Sequence, residues 1–264
     1  LVETENGKRK TENRKEREMM RRSGGRARDR LRPVSLTPGY LDFAEGSCLV
    51  TWGRTRVLCA ATVVETVPAF RQAKGGGWVT AEYAMLPRAS HGRQERESRL
   101  GRLGGRTQEI SRLIGRSLRA AVDLQALGPR TVILDCDVLQ ADGGTRTASV
   151  TGAFVALALA LEGLRRQELL AALPISQQVA AVSAGAYRGQ LLLDLDYEED
   201  SQAAVDANFV GTGQGELIEV QLTGEEGPFP ADQLPQLLAL AQEGLKELFH
   251  LQEEALRPWM PLPW

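Results

Sequence analysis

Leu134-Asp135-Cys136-Asp137-Val138-Leu139-Gln140-Ala141-Asp142-Gly143-Gly144-Thr145-Arg146-Thr147-Ala148-Ser149 joins an apolar strand, Thr131 to Leu134, to an almost wholly apolar helix, Ser149 to Leu164. Three acids and two glycines lie at the junction. A glycine pair lets backbone N–H groups approach a ligand without obstruction by Cβ, and the unpaired N–H groups of the following helix favour an anion. Arg146 adds a planar cationic fork suited to two-point contact with phosphate or carboxylate. An ordinary turn with a surface arginine is the alternative. The lysine of a nucleotide P-loop is absent from the stretch.

Outward from this junction, 264 residues with 42% hydrophobic and 25% charged content describe an ordinary globular protein able to bury a large core. No apolar run reaches the roughly 18 residues of a membrane span, and no apolar signal region opens the chain, so a cytoplasmic protein without a membrane role is expected. Cys48, Cys59 and Cys136 make an odd count without a Cys-x-x-Cys pair, which suggests buried reduced thiols rather than disulfides or zinc. With only His91 and His250, a Ser-His-Asp triad or a histidine-rich zinc site is disfavoured. Arginines, carboxylates and a hard metal remain as the means of chemistry.

The net charge of −2 conceals a division: residues 1–130 sum to +12 and residues 131–264 to −14. A polyanion-binding surface in the first half fits this polarity, and the excess of arginine over lysine fits phosphate recognition. Halves that simply attract one another would explain the signs alone.

Residues 1–30 are charged and lack usable periodicity, so a disordered, mostly basic extension is expected. Pro33 to Leu36, a hairpin of Gly46–Trp52 and Thr55–Val63 around Gly53-Arg54, and Trp78–Tyr83 read as short strands. An arginine-rich connection follows, with Arg88, Arg93, Arg96, Arg99, Arg102 and Arg106. It is either a solvated loop or an electrostatic track for a nucleic-acid backbone. Arg106 follows Gly104-Gly105 and precedes an amphipathic helix, carrying Ile110, Leu113, Ile114, Leu118, Ala121 and Val122, that is expected to stop at Gly128-Pro129. Arg106 and Arg146 therefore hold equivalent places, and two helix starts can converge on one phosphate.

In the second half, Val179–Ala186 and Gln190–Tyr197 read as a second hairpin, followed by the acidic turn Glu198-Glu199-Asp200-Ser201. Asp206 lies in a strand-like alternation from Ala204 to Val210. Asp200 and Asp206 could together hold Mg²⁺, which takes few carboxylates plus substrate oxygens, although acidic turns are common. Glu216–Leu222 reads as a strand, and Asp232 opens a long helix with Leu234, Leu237, Leu238, Ala241, Leu245, Leu248 and Phe249 on one face. The order of elements predicts an α+β domain of two related sheet-plus-helix units.

From Arg32 to Leu251 the chain resembles the ribonuclease PH family. The matching stretches are Ala44-Glu45-Gly46-Ser47, Gly77 to Tyr83, Met85-Leu86-Pro87-Arg88, Gly104-Gly105-Arg106-Thr107, Leu134 to Ser149, Glu199-Asp200-Ser201 and Asp206-Ala207-Asn208. The resemblance implies the family's domain over residues 31–256, with residues 257–264 as a Pro/Trp-containing tail. It implies a phosphorolytic 3′-to-5′ exoribonuclease trimming tRNA precursors, which uses inorganic phosphate and releases nucleoside 5′-diphosphates. Phosphate would be held by Arg106, Gly144, Thr145 and Arg146. Asp200 and Asp206 would serve catalysis and bind Mg²⁺ or Mn²⁺, and Arg88, Arg93 and Arg96 would face RNA or a neighbouring subunit of a homohexamer, a trimer of dimers. Ala204 and Ala207 depart from the family's usual Glu and Met beside Asp206, and Gly92 and Gln94 depart beside Arg93. A non-catalytic RNA-binding ring subunit is the alternative; it predicts loss of these arginines or aspartates, all of which are present.

Overall fold

The computed structural model describes residues 22, 25–99 and 101–264. Most of the expected disordered extension, residues 1–21, 23 and 24, lies outside the described residues. Strands β1 (Val34–Pro38), β2 (Gly46–Trp52), β3 (Thr55–Val64), β4 (Trp78–Met85) and β5 (Thr131–Gln140) form one sheet in the order β1-β2-β3-β5-β4. All its pairings are antiparallel except β4 with β5, which are parallel. Strands β6 (Val179–Tyr187), β7 (Gln190–Leu193), β8 (Val205–Thr212) and β9 (Leu217–Gly224) form a second, antiparallel sheet in the order β7-β6-β8-β9. The helices are α1 (Ala69–Gln72), α2 (Gly105–Arg119), α3 (Thr145–Arg166), α4 (Tyr197–Asp200) and α5 (Gln233–Leu256).

Helix α3 is apolar on every side, and such a helix is stable only when buried all round. It lies between the sheets, against β2, β3 and β5 on one side and β6 on the other. Its length and composition would suit a membrane span, which corrects the expectation that no such segment exists, yet 94% of that apolar window is buried inside the protein. Small residues permit the close approach: a Cβ at Gly46 of β2 would collide with the Ala156 carbonyl of α3, and one at Gly152 with Val50. On the second sheet's side, the buried Gln252 amide of α5 donates to the Thr151 carbonyl of α3 (3.0 Å) and the Val179 carbonyl of β6 (2.9 Å). Cys48, Cys59 and Cys136 stand opposite one another across β2, β3 and β5, buried and free.

Several expected boundaries shift. Helix α3 starts at Thr145 rather than Ser149, and β5 runs on through Asp135 and Asp137 to Gln140. Helix α2 ends at Arg119, well before Gly128, because Val122 leaves the helix to form an isolated bridge with Ile175. Strand β7 stops at Leu193, and the acidic segment winds into the helical turn α4. Leu234, expected on the buried face of α5, is exposed, whereas Leu237, Ala241, Leu245 and Leu248 are buried. The Pro/Trp tail docks on the core: Met260 is buried, and the Trp264 ring meets Phe154 edge-on at 5.6 Å.

Because the atom facing Gly46 is helix backbone, which cannot swing away, Gly46→Ala is expected to destabilise the protein by about 1–3 kcal/mol. A shift in urea midpoint at constant slope checks this.

Candidate active site

The strand-to-helix junction is bent by Gly143 and Gly144, whose φ values of 78° and 66° lie in the left-handed region. A Cβ on Gly143 would lie 2.6 Å from the Leu195 carbonyl oxygen, so glycine lets the loop touch the segment leading into α4. Thr55 fixes the loop by donating to the Gly143 carbonyl (2.7 Å) and accepting from the Asp142 N–H (2.9 Å). Arg32 reaches the same loop, donating through Nη1 to the Asp142 carbonyl and through Nη2 to the Gly143 carbonyl (3.4 Å).

The other side of Arg32 faces Asp194, just past β7. Arg32 donates its backbone N–H (2.6 Å), Nε (3.0 Å) and Nη2 (2.6 Å) to that carboxylate, and Trp52 Nε1 adds a fourth bond at 2.9 Å. Burial opposes the charge on Asp194, but the Arg32 charge and hydrogen bonds, with Arg26 beyond, hold its carboxyl below the usual carboxylate range. Two residues on, Asp196 caps α4: its side chain accepts from the Glu199 N–H (3.0 Å), and Glu199 accepts from the Asp196 N–H (3.1 Å). This reciprocal cap positions Asp200 at the end of α4.

Asp206 lies on β8 opposite Gly185 of β6, and its Oδ2 accepts from the Asn208 amide at 3.3 Å. Burial raises the Asp200 carboxyl against the opposing charges of Arg106 and Arg146, while Glu225 raises it further. Burial, then the neighbouring charge of Asp200, pushes Asp206 up to about 6. The charge of Asp200 thus acts on Asp206.

Arg106 and Arg146 are each the second residue of a helix, α2 and α3. Both charges act on Asp200 and on the buried Tyr83, whose hydroxyl is 2.9 Å from Thr145 Oγ1. Burial raises the Tyr83 phenol; the Thr145 hydrogen bond and the two arginines oppose that rise. Arg146 Nη1 donates to Gln221 Oε1 (2.6 Å) and lies 3.7 Å from Glu109, to which Gln221 donates in turn (2.8 Å). The first turn of α3 has no side-chain cap. Its amides before Ala148, the first to bond back to the Gly144 carbonyl, remain available to an anion.

Arg88, Arg93 and Arg96 are exposed on the connecting loop and are not brought to the aspartates; the Arg96 charge acts instead on Asp137 of β5. Arg32, Tyr83, Glu109, Gln221 and Glu225 were not singled out as site residues from sequence. Only Tyr83 carried a signal, since it closes the Gly77–Tyr83 stretch. Glu225 stands next to Ala204, whose carbonyl its N–H contacts at 2.9 Å, and so brings an acid close to where the family usually carries Glu. Among the described residues no group of three or more His, Cys, Asp or Glu could enclose a metal. A mutually repelling pair of carboxylates does fit an ion that keeps most of its shell as water and substrate oxygen.

The sequence model of the 3′ exoribonuclease family, domain 1, matches residues 30–161, and that of domain 2 matches residues 177–244. The chain belongs to the 3′ exoribonuclease family. Proteins named ribonuclease PH from two strains of Caulobacter vibrioides are 57% identical over 235 residues, covering 89% of this chain and 99% of theirs. Among solved structures of the family's fold, an Archaeoglobus fulgidus exosome with RNA bound to the active site superposes with a TM-score of 0.75 at 23% identity, covering 88% of this chain and 93% of that one. Rice (Oryza sativa) Rrp46 gives 0.70 at 19% identity, covering 89% and 97%. Family membership at this identity makes the chain a phosphorolytic 3′-to-5′ exoribonuclease, with RNA as substrate and inorganic phosphate as co-substrate.

The raised Asp206 carboxyl has a stability consequence. Its proton is held more tightly in the folded state, so stability falls as pH rises from the ordinary value of 3.8 through about 6. In metal-free buffer, Asp206→Asn is expected to raise stability at pH 7.5 by roughly 1–2 kcal/mol, allowing for part exposure, and to give no gain at pH 4. Thermal melts at the two pH values check this.

Proposed function

We propose that Arg106, Arg146, Thr145 and the backbone at Gly144 hold the attacking inorganic phosphate, and that the protein trims the 3′ ends of tRNA precursors. What supports this reading is that Arg106 and Arg146 are each the second residue of a helix, that both charges act on Asp200 and Tyr83, and that the Tyr83 hydroxyl is 2.9 Å from Thr145 Oγ1. A phosphate oxygen attacks phosphorus at the terminal linkage, the bond from phosphorus to the preceding nucleotide's 3′-oxygen breaks, and a nucleoside 5′-diphosphate leaves. The proton carried by the attacking hydrogen phosphate passes to the departing 3′-oxygen, so the shortened RNA ends in a 3′-hydroxyl. The arginines offset repulsion between the anionic reactants and align the attacking oxygen, the contribution such reactions draw from a protein.

Asp200 and Asp206 would hold Mg²⁺ or Mn²⁺, which supplies charge stabilisation at the leaving 3′-oxygen when bound. Arg88, Arg93 and Arg96 supply sequence-independent attraction for the RNA backbone, supported by their exposure and by the positive first half of the chain. The assembly is a homohexameric ring. Its support is the likeness to exosome cores and the one-sided burial of β3, which leaves Leu58 and Ala60 part-exposed on the first sheet's outer face. Three buried free thiols suit a cytoplasmic setting.

A tRNA with extra 3′ nucleotides, incubated with the protein and Mg²⁺, is expected to release nucleoside diphosphates only when phosphate is present; monophosphates would overturn the reading. Arg106→Ala and Arg146→Ala should each raise KM for phosphate roughly 10- to 100-fold, as loss of a charged hydrogen bond predicts, with RNA affinity changed far less. Equal losses in both quantities would remove these residues from the phosphate site.

A further inference from the structure

We propose that Arg22 is a positioning residue for Asp200, acting through a buried two-point ion pair with Glu199. Its catalytic half rests on the role given to Asp200 above. Arg22 precedes residues 30–161, the first segment that the family's sequence model matches.

Helix α4 has four residues, too few to be stable alone, so the position of Asp200 must come from contacts around it. Glu199, adjacent in sequence, supplies them. Arg22 donates Nε to Glu199 Oε1 and Nη2 to Oε2, both at 2.7 Å, with each side chain only 4% exposed. The same Nη2 donates to the Asp194 carbonyl at 2.8 Å, and Nη1 donates to the Ala27 carbonyl at 3.2 Å. Arg26 adds a weaker contact to Glu199 Oε2 at 3.2 Å and a bond to the Asp194 carbonyl at 2.7 Å. Oε2 also closes the cap on Asp196. Arg22 therefore grips at once the carboxylate that caps α4 and the backbone that leads into it. A planar guanidinium makes both carboxylate bonds in one fixed orientation, whereas a lysine ammonium offers a point charge that fixes none. Arg106 and Arg146 sit on other elements, α2 and α3.

Arg22→Lys, which preserves the charge, tests this, with Arg22→Ala as the second variant. Steady-state phosphorolysis at saturating phosphate and RNA is expected to show kcat reduced about tenfold in Arg22→Lys and further in Arg22→Ala, with KM for phosphate within twofold of the parent. Hydrogen exchange at the Asp200 and Ser201 amides, which bond to the Asp196 and Tyr197 carbonyls, is expected to accelerate at least tenfold while amides of α3 are unchanged. In an Asp200→Asn background, Arg22→Lys is expected to cost less than twofold in kcat. Unchanged exchange at Asp200 and Ser201, acceleration throughout α3, or a full tenfold cost in the Asp200→Asn background would each overturn the proposal. Parental kcat in Asp200→Asn alone would instead overturn the role of Asp200 and with it the catalytic half, while accelerated exchange would still register the clamp.

Discussion

The Arg32–Asp194 ion pair joins the two halves of this protein at the point where they make one site. Arg32 belongs to the segment matched by the family's first domain and Asp194 to that matched by its second. Asp194 is only 1% exposed and adopts a left-handed φ of 56°, a conformation that surroundings must enforce in a non-glycine residue. A carboxylate in such a place is tolerated only when its oxygens are satisfied, and Arg32, Trp52 and Arg26 satisfy them. Breaking a buried pair by removing one partner typically costs about 3–5 kcal/mol, because the remaining charge stays buried. The same guanidinium touches the carbonyls of Asp142 and Gly143, so a single side chain sets the distance between the glycine loop and the segment that carries Asp200.

Around that fastening the opposite charges of the two halves meet. Arg106 and Arg146 come from the positive half and the junction; Asp200, Asp206 and Glu225 come from the negative half. Burial and Glu225 raise Asp200, burial and the charge of Asp200 raise Asp206, and Arg146 is held by the neutral Gln221 amide with Glu109 farther off. A site with charges of both signs has something to offer both a phosphate and a cation. Preorganisation of this kind lowers the reorganisation needed during phosphoryl transfer.

Local chemistry made much of this legible. Gly143-Gly144 announced the loop, the almost wholly apolar run announced the buried helix, and the spacing of Ile110, Leu113, Ile114 and Leu118 announced the inner face of α2. The start of α3 was illegible because Thr145, Arg146 and Thr147 look like loop residues. They become helical where Gly144 takes a left-handed turn and Thr145 finds the Tyr83 hydroxyl. The roles of Asp194 and Arg22 left no local trace: their partners lie 162 and 177 residues away in the chain, and neither falls in a periodic pattern. A charged residue at the chain's beginning reads as solvated until its distant partner is known. The Pro/Trp tail is irregular, as read, but its docking through Trp264 on Phe154 was illegible for the same reason.

Equilibrium dialysis of labelled orthophosphate against Asp194→Asn protein, with the fold confirmed by circular dichroism, tests most directly whether this fastening assembles the proposed phosphate site. The account predicts at least a tenfold loss of phosphate affinity, although Asp194 is not among the residues assigned to phosphate, because Arg32 would no longer hold the glycine loop in place. Affinity equal to that of the parent would show that the loop is set independently of the ion pair and would contradict the account.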